Sequence, residues 1–372
     1  MSKLGKILRE SIAIDGPLPV ETFMAVALGH PEFGYYMTRD PFGPSGDFVT
    51  APEVSQMFGE LVGLWAAEAW AALGSPERVA LVELGPGRGT LMADALRAAR
   101  GSPAFFAALD VHLVETSPVL TEAQRRSLAR AGVPVTWHTA IEDVPAGPSI
   151  FIANEFFDAM PVRHYVKTPR GWCPRLVGLT ETGALGFGVS SEPEHHLMAE
   201  APDGSVLELS PISHQIISVI AQRIASQGCA ALVIDYGHVE TGLGETLQAL
   251  KNHRSVDPLG EPGEADLTAH VDFAALTRSA LAAGADVQGP VTQGEFLMRL
   301  GIEQRATALK GKATLEQARA IDQAFERLVT AQTFVGPGGA KSLGMGALFK
   351  VLAIVPRATA PLPGFVREVP DV

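Results

Sequence analysis

The run Val79-Ala80-Leu81-Val82-Glu83-Leu84, followed by Gly85-Pro86-Gly87-Arg88-Gly89 and then Thr90-Leu91-Met92-Ala93-Asp94-Ala95-Leu96, constrains the fold most. The first segment, apolar except for Glu83, reads as a buried strand, and the last reads as a helix. Glycines at such a junction let the backbone turn sharply and approach a ligand closely, while the helix start supplies free N–H groups. The spacing removes a dinucleotide fingerprint, because G-x-G-x-x-G would need its third glycine where Thr90 stands. What remains is an acidic-x-G-x-G-x-G turn.

From Val79 onward short apolar runs alternate with helical segments, the pattern of a parallel sheet with crossover helices. Strands are expected at Val79-Leu84, Val111-Glu115, Val135-His138, Ser149-Ala153, Ala230-Asp235, Asp286-Gln288 and Ala347-Val355, a seven-stranded, mostly parallel α/β sheet. Ahead of it, helices are expected to about Ile14 and from Val20 to about Leu28, then a glycine- and aromatic-rich loop. A further helix follows, its stripe Val54, Met57, Phe58, Leu61 and Trp65 packing inward and Pro52 and Glu53 in its first turn. A segment from about 162 to 208 reads as inserted β hairpins laid over the sheet edge. Helices are expected from Ala269 to about Ala283 and from Gly294 to about Thr333, the second broken near Lys310-Gly311-Lys312. The expected division is a helical and loop segment over 1–77 that covers the ligand site, an α/β domain over 78–356 with insertions at 162–208 and 292–342, and an irregular tail over 357–372.

A formal net charge of -12 repels phosphate backbones, and no basic patch offsets it, so nucleic acid is excluded as a partner. No apolar stretch is long enough to span a bilayer, and the cationic start is interrupted before a signal-peptide core can form. The two cysteines, Cys173 and Cys229, have no metal-ligand neighbours, and the histidines lack a spacing such as His-Glu-x-x-His, so no metal is expected. Gly336 to Ser342 imitates a phosphate loop, but Ala340 occupies a glycine position and a helix is expected before it; it reads as a connector.

Three further places carry chemistry. Glu115 ends the second strand, and its two oxygens match the vicinal hydroxyls of a ribose. Glu142 and Asp143, near the end of the third strand, could receive an adenine amino group. After the fourth strand, Asn154-Glu155-Phe156-Phe157-Asp158 sets two carboxylates among aromatics, a combination suited to a cation that the acids hold and the rings cover.

The acidic glycine turn resembles the first motif of Rossmann-like methyltransferases, in which that loop holds the methionine part of a cationic cofactor and makes Glu83 electrostatically sensible. Further segments extend the likeness: Gly46-Asp47-Phe48-Val49-Thr50-Ala51-Pro52-Glu53-Val54-Ser55, Asn154 to Val162, Asp235-Tyr236-Gly237-His238, Asp257-Pro258-Leu259, Gly263 to Phe273 and Phe349-Lys350-Val351-Leu352. Together, from about residue 5 to 355, they resemble the MidA-type methyltransferase family, whose mitochondrial members assist assembly of respiratory complex I. The resemblance implies a Rossmann-like methyltransferase fold and S-adenosyl-L-methionine as cofactor, with Gly85, Gly87 and Gly89 as its loop and Glu115 as ribose ligand, and Glu83 and Glu142 complete the expected cofactor set. It implies symmetric dimethylation of an arginine on a complex I subunit and puts the loop after Ala153 on the acceptor side, where Asn154, Glu155 and Asp158 are the expected catalytic residues. Asp47, Glu53, Phe156, Phe157, Asp235, Tyr236 and His270 are then expected on the substrate or lid side. The chain has no Arg- and Ser-rich transit peptide, which implies a bacterial cytoplasmic protein. A small-molecule methyltransferase and a non-catalytic, cofactor-binding assembly chaperone stay open as alternatives. Exposed apolar surface on the insertion or the last helices would make a homodimer.

Overall fold

The computed structural model describes residues 2–41, 43, 46, 47, 49–335 and 341–365. The chain divides into two compact units, one of Met1–Phe48, Phe157–Gln215 and Glu240–Val271, the other of Val49–Phe156, Ile216–Val239 and Asp272–Val372.

The second unit carries the parallel sheet: β1 (Val79–Leu84), β2 (Leu109–Val114), β3 (Val135–His138), β4 (Ser149–Asn154), β5 (Ala230–His238), β6 (Asp286–Thr292) and β7 (Phe349–Val355). Their order is β6-β7-β5-β4-β1-β2-β3. The first five strands pair in parallel, and β7 runs antiparallel to both β5 and β6. A two-residue strand, Val271–Asp272, adds to the sheet where the chain passes from the first unit to the second. Order reverses between β1 and β4, and a ligand of an open α/β sheet sits beyond the strand ends at such a reversal.

Helix α2 (Gln56–Ala72) crosses α3 (Thr90–Ala99) at very short range. Cβ atoms built on Gly59 and Gly63 would stand 2.7 Å from Asp94 Cβ and 2.6 Å from Ala95 Cα, so only glycine permits this approach. Residues 49–77 therefore belong with the sheet rather than with a separate N-terminal segment, which the sequence periodicity could not reveal. Nor is the expected helix continuous from Pro52. Ala51–Val54 is a one-turn helix, α1, and Ser55 is extended (φ -163°), its hydroxyl accepting from Met57 N to cap α2.

The first unit is built on helices Lys3–Asp15 and Val20–Gly29 and on two antiparallel sheets. The expected hairpins form strands Arg163–Thr168, Gly171–Leu179, Leu185–Val189 and Val206–Leu209, joined by Leu18–Pro19 into one five-stranded sheet. Gln248–Lys251, Arg254–Val256 and Asp266–Thr268 form the second sheet. Leu4, Leu8, Ile12, Phe23, Met24, Val177 and Leu267 share this unit's core.

Near the C-terminus the expected long helix is three, Gln293–Arg299, Ile302–Lys310 and Leu315–Val329, broken at Gly301 (φ 88°) and again after Lys310. Capping boxes start the first and third at Thr292/Glu295 and Thr314/Gln317. The helix expected from Ala269 begins only at Phe273, where the Asp272 side chain accepts from Ala275 N. A strand, Thr333–Val335, paired with Lys341–Leu343, precedes the glycine-rich stretch where a helix was expected; residues 336–340 of that stretch lie outside the described residues. The last strand starts at Phe349, because Met345–Leu348 forms one helical turn whose carbonyls at Ala347 and Leu348 accept from Lys350 Nζ. Among the described residues no helix is long and apolar enough to cross a membrane.

Candidate active site

The turn after β1 holds Gly85, Gly87 and Gly89 at φ 61°, 53° and 78°, backbone that side chains with a Cβ rarely adopt. At Gly85 space also forbids a side chain, since a Cβ would lie 2.8 Å from Phe156 Cδ2. Glu83, two residues before the turn, is 3% exposed. Burial, and then the charge of Glu115, push its carboxyl from 4.5 up to about 8. Its Oε2 has no hydrogen-bond partner. Buried carboxyl oxygens are ordinarily satisfied, so an unpartnered one beside a glycine turn fits a cationic ligand that would pair with it.

Glu115 follows β2. Its Oε1 accepts from Ser117 N at 2.8 Å and its Oε2 from Gln124 Nε2 at 3.1 Å. Burial raises its carboxyl above the ordinary value, while these two bonds pull it down. Gln124 lies on α4 (Pro118–Ser127) and is fully buried. Its Nε2 also donates to Gly87 O at 2.8 Å, and its Oε1 accepts from Trp137 Nε1 at 3.0 Å. One amide thus ties the glycine turn to the acid after β2. Glu142 stands on the 3-10 turn Ile141–Asp143 and is exposed.

At the end of β4, Glu155 takes a left-handed backbone (φ 49°), a strained conformation for a glutamate. Neighbouring bonds hold it: Glu155 N donates to Ile234 O at 2.9 Å, and Glu155 Oε1 accepts from Ala51 N at 2.9 Å and Asn154 Nδ2 at 3.3 Å. Asn154 is buried, and its Oδ1 has no hydrogen-bond partner. The Phe156 ring rests on the glycine turn, and Phe156 N donates to Asp235 Oδ2 at 3.1 Å. Asp235 is fully buried on β5; its Oδ1 accepts from Tyr236 N at 2.9 Å, and the Tyr236 ring meets Phe349 edge-on at 5.4 Å. Asp235 thus fixes the backbone of the loop after β4.

Helix α1 closes one side of the turn. Thr90 Oγ1 donates to Glu53 Oε1, and Arg88 Nη1 lies 3.7 Å from Glu53 Oε2. The threonine that stands where a dinucleotide motif needs glycine is therefore the anchor of this helix.

In the first unit, Asp47 is buried and accepts twice at 2.6 Å, from Tyr35 Oη on Oδ2 and from Asn252 N on Oδ1. Tyr36 Oη donates to Asp266 Oδ1 at 2.8 Å. Burial, with the charge of Asp158 next, pushes Asp266 from 3.8 up to about 8. Asp158 and Phe157 are buried in the same unit, where Asp158 O accepts from Ala269 N. His270 is half-buried and donates its N–H to Thr246 Oγ1.

Gln124, Tyr35, Tyr36 and Asp266 escaped the sequence reading. For Gln124 a signal existed: Leu120 and Gln124 lie four apart on one helix face, so an amide one turn after a buried leucine points inward. Tyr36 and Asp266 lie far apart in sequence, and Tyr35 meets Asp47 across an irregular loop, so neither pair left one.

A family model of S-adenosyl-L-methionine-dependent methyltransferases matches residues 61–291. The mouse (Mus musculus) mitochondrial protein arginine methyltransferase NDUFAF7 is 40% identical over 332 residues, 82% of this chain and 76% of its own. The Drosophila melanogaster homologue of that protein is 37% identical, over 96% of this chain and 86% of its own. A Burkholderia thailandensis crystal structure bound to S-adenosyl-homocysteine superposes with a TM-score of 0.81 at 29% identity, covering 98% of this chain and 94% of the other.

Proposed function

As the chain belongs to the family of S-adenosyl-L-methionine-dependent methyltransferases, we propose that its acceptor is an arginine side chain of a protein, carried to the symmetric dimethyl state. S-adenosyl-L-methionine is the cofactor, and methyl transfer is the reaction. The observation that carries the arginine reading is Glu155: a carboxylate in a strained left-handed backbone at the switch point, braced by Ala51 N and Asn154.

When bound, the cofactor supplies an electrophilic methyl on a sulfonium. Glu83 would face the charged methionine end beside Gly85, Gly87 and Gly89, Glu115 would take the ribose hydroxyls, and Glu142 would reach the adenine amino group. Guanidinium is a poor nucleophile while its charge is delocalised, so a carboxylate must hold its plane and draw charge onto the nitrogens that do not react. Glu155 and Asp158 take that task in this reading, and Asn154 orients Glu155. Phe156 and Phe157 keep water out, while Asp235 and Tyr236 hold the loop. Glu53 keeps α1 on the turn, and Asp47 and His270 line the substrate side.

The relatives named as protein arginine methyltransferases support a protein substrate. The resemblance extends this to a complex I subunit, and the composition of the first residues favours a bacterial cytoplasm. Both cysteines are free and buried, in keeping with a reducing compartment.

The test pairs binding with transfer. Glu155→Gln should bind S-adenosyl-homocysteine within about twofold of wild type yet transfer methyl at least about a hundredfold more slowly, as expected for an electrostatic group at the reacting centre. Unimpaired transfer by that variant would overturn the reading.

A further inference from the structure

We propose that Gln124 is a positioning residue for the cofactor: its single buried amide sets both the Gly87 carbonyl of the glycine turn and the Glu115 carboxylate, so that the two ends of one ligand are held in fixed relation. The inference rests on the reading of Glu115 as the ribose ligand.

Three bonds carry it. Nε2 has two hydrogens, and both are used, at 2.8 Å to Gly87 O and at 3.1 Å to Glu115 Oε2. Oε1 receives Trp137 Nε1 at 3.0 Å, which fixes the amide the right way round, since a flipped group would turn its NH2 toward the indole donor. The side chain is fully buried on α4, whose start is capped by Ser117 Oγ accepting from Leu120 N. Ser117 N is the second donor to Glu115, so one helix and its N-cap supply both groups that aim that carboxylate. Gly89 packs against the same residue, a Cβ there lying 3.5 Å from Gln124 Cα. Glu115 therefore keeps one oxygen bonded on each side by the protein, with its remaining lone pairs left for a diol. Leucine or methionine at 124 would fill the space but leave Gly87 O, Glu115 and the indole N–H without this partner.

S-adenosyl-homocysteine binding to the purified full chain, measured by calorimetry, tests this without depending on turnover. Gln124→Met should weaken binding at least about tenfold. Gln124→Glu keeps the size and the acceptor for Trp137, so it serves even if Gln124→Met does not fold. It should bind poorly at about pH 8, where two carboxylates face one another, and recover part of its affinity by about pH 6, as the added carboxyl gains a proton to donate. Wild type and Gln124→Met should lack that recovery, which a merely structural role would not produce. Wild-type affinity in Gln124→Met, or the same pH response in both variants, overturns the inference. Glu115→Gln separates it from the reading beneath it. If Glu115→Gln binds weakly while Gln124→Met is unaffected, only the positioning role fails. If Glu115→Gln binds like wild type, the ribose reading fails and the inference with it.

Discussion

Glu83 shows how a single buried carboxyl links ligand binding to pH. Its pKa rises from 4.5 to about 8 on folding, so between those values the folded chain holds a proton that the unfolded chain has lost. Stability of the cofactor-free protein must then fall as pH rises through that window, by up to about 1.4 kcal/mol per pH unit for this group. Asp266, raised from 3.8 to about 8, adds a contribution of the same sign. Urea unfolding followed from about pH 5 to about pH 8 should show the decline, and Glu83→Gln should flatten it while weakening cofactor binding. An unchanged slope in Glu83→Gln would contradict the assignment. The places of Glu83 and Glu115 at the ends of β1 and β2 were legible in sequence, because each acid closes a short apolar run. Gln124 was not read, although its place four residues after Leu120 turns it inward, because nothing local names the Glu115 carboxylate it meets. The Asp47 partners Tyr35 and Asn252 were hidden for a different reason: they come from distant stretches of chain that meet only once the first unit has folded.

Among elements, the crossing of α2 on α3 is a demanding contact, because Gly63 brings α2 within 2.6 Å, measured from an added Cβ, of Ala95. Gly63→Val should cost about 1–3 kcal/mol or more of stability through overpacking, read as a lowered urea midpoint with unchanged slope. Helix α1 makes a separate prediction. Thr90→Val removes the donor to Glu53 and should weaken S-adenosyl-homocysteine binding several-fold with little loss of stability, as the change lies at the turn rather than in the core. The apolar run that became β1 was readable to the residue, because a buried parallel strand carries little else, and the half-exposed edge strand β3 also falls at its expected bounds. Boundaries failed where a cap or a glycine decides: Ser55 splits off α1, Gly301 divides a helix, and Asp272 delays another. Those signals are single residues, which periodicity averages away.

For the whole molecule, the α/β class followed from the alternation of strands and helices, whereas the sheet order β6-β7-β5-β4-β1-β2-β3 and the make-up of the first unit did not. That unit draws on three separate stretches of chain, and its core joins Leu4, Val177 and Leu267, which no local pattern could pair. The net charge of -12 bears on the partner: a protein segment rich in arginine would be drawn to such a surface, and its methylation should slow as salt screens the attraction. Rates measured at about 0.05 M and about 0.5 M salt should therefore differ, with the lower salt faster. The central claim is arginine methylation, and the most direct measurement is the product itself. The protein would be incubated with methyl-labelled S-adenosyl-L-methionine and respiratory complex I subunits, and the labelled residue identified by mass spectrometry. The account predicts symmetric dimethylarginine on one subunit, absent with Glu155→Gln. Label on a lysine or only on small molecules, or no label on any subunit while the cofactor binds, would contradict it.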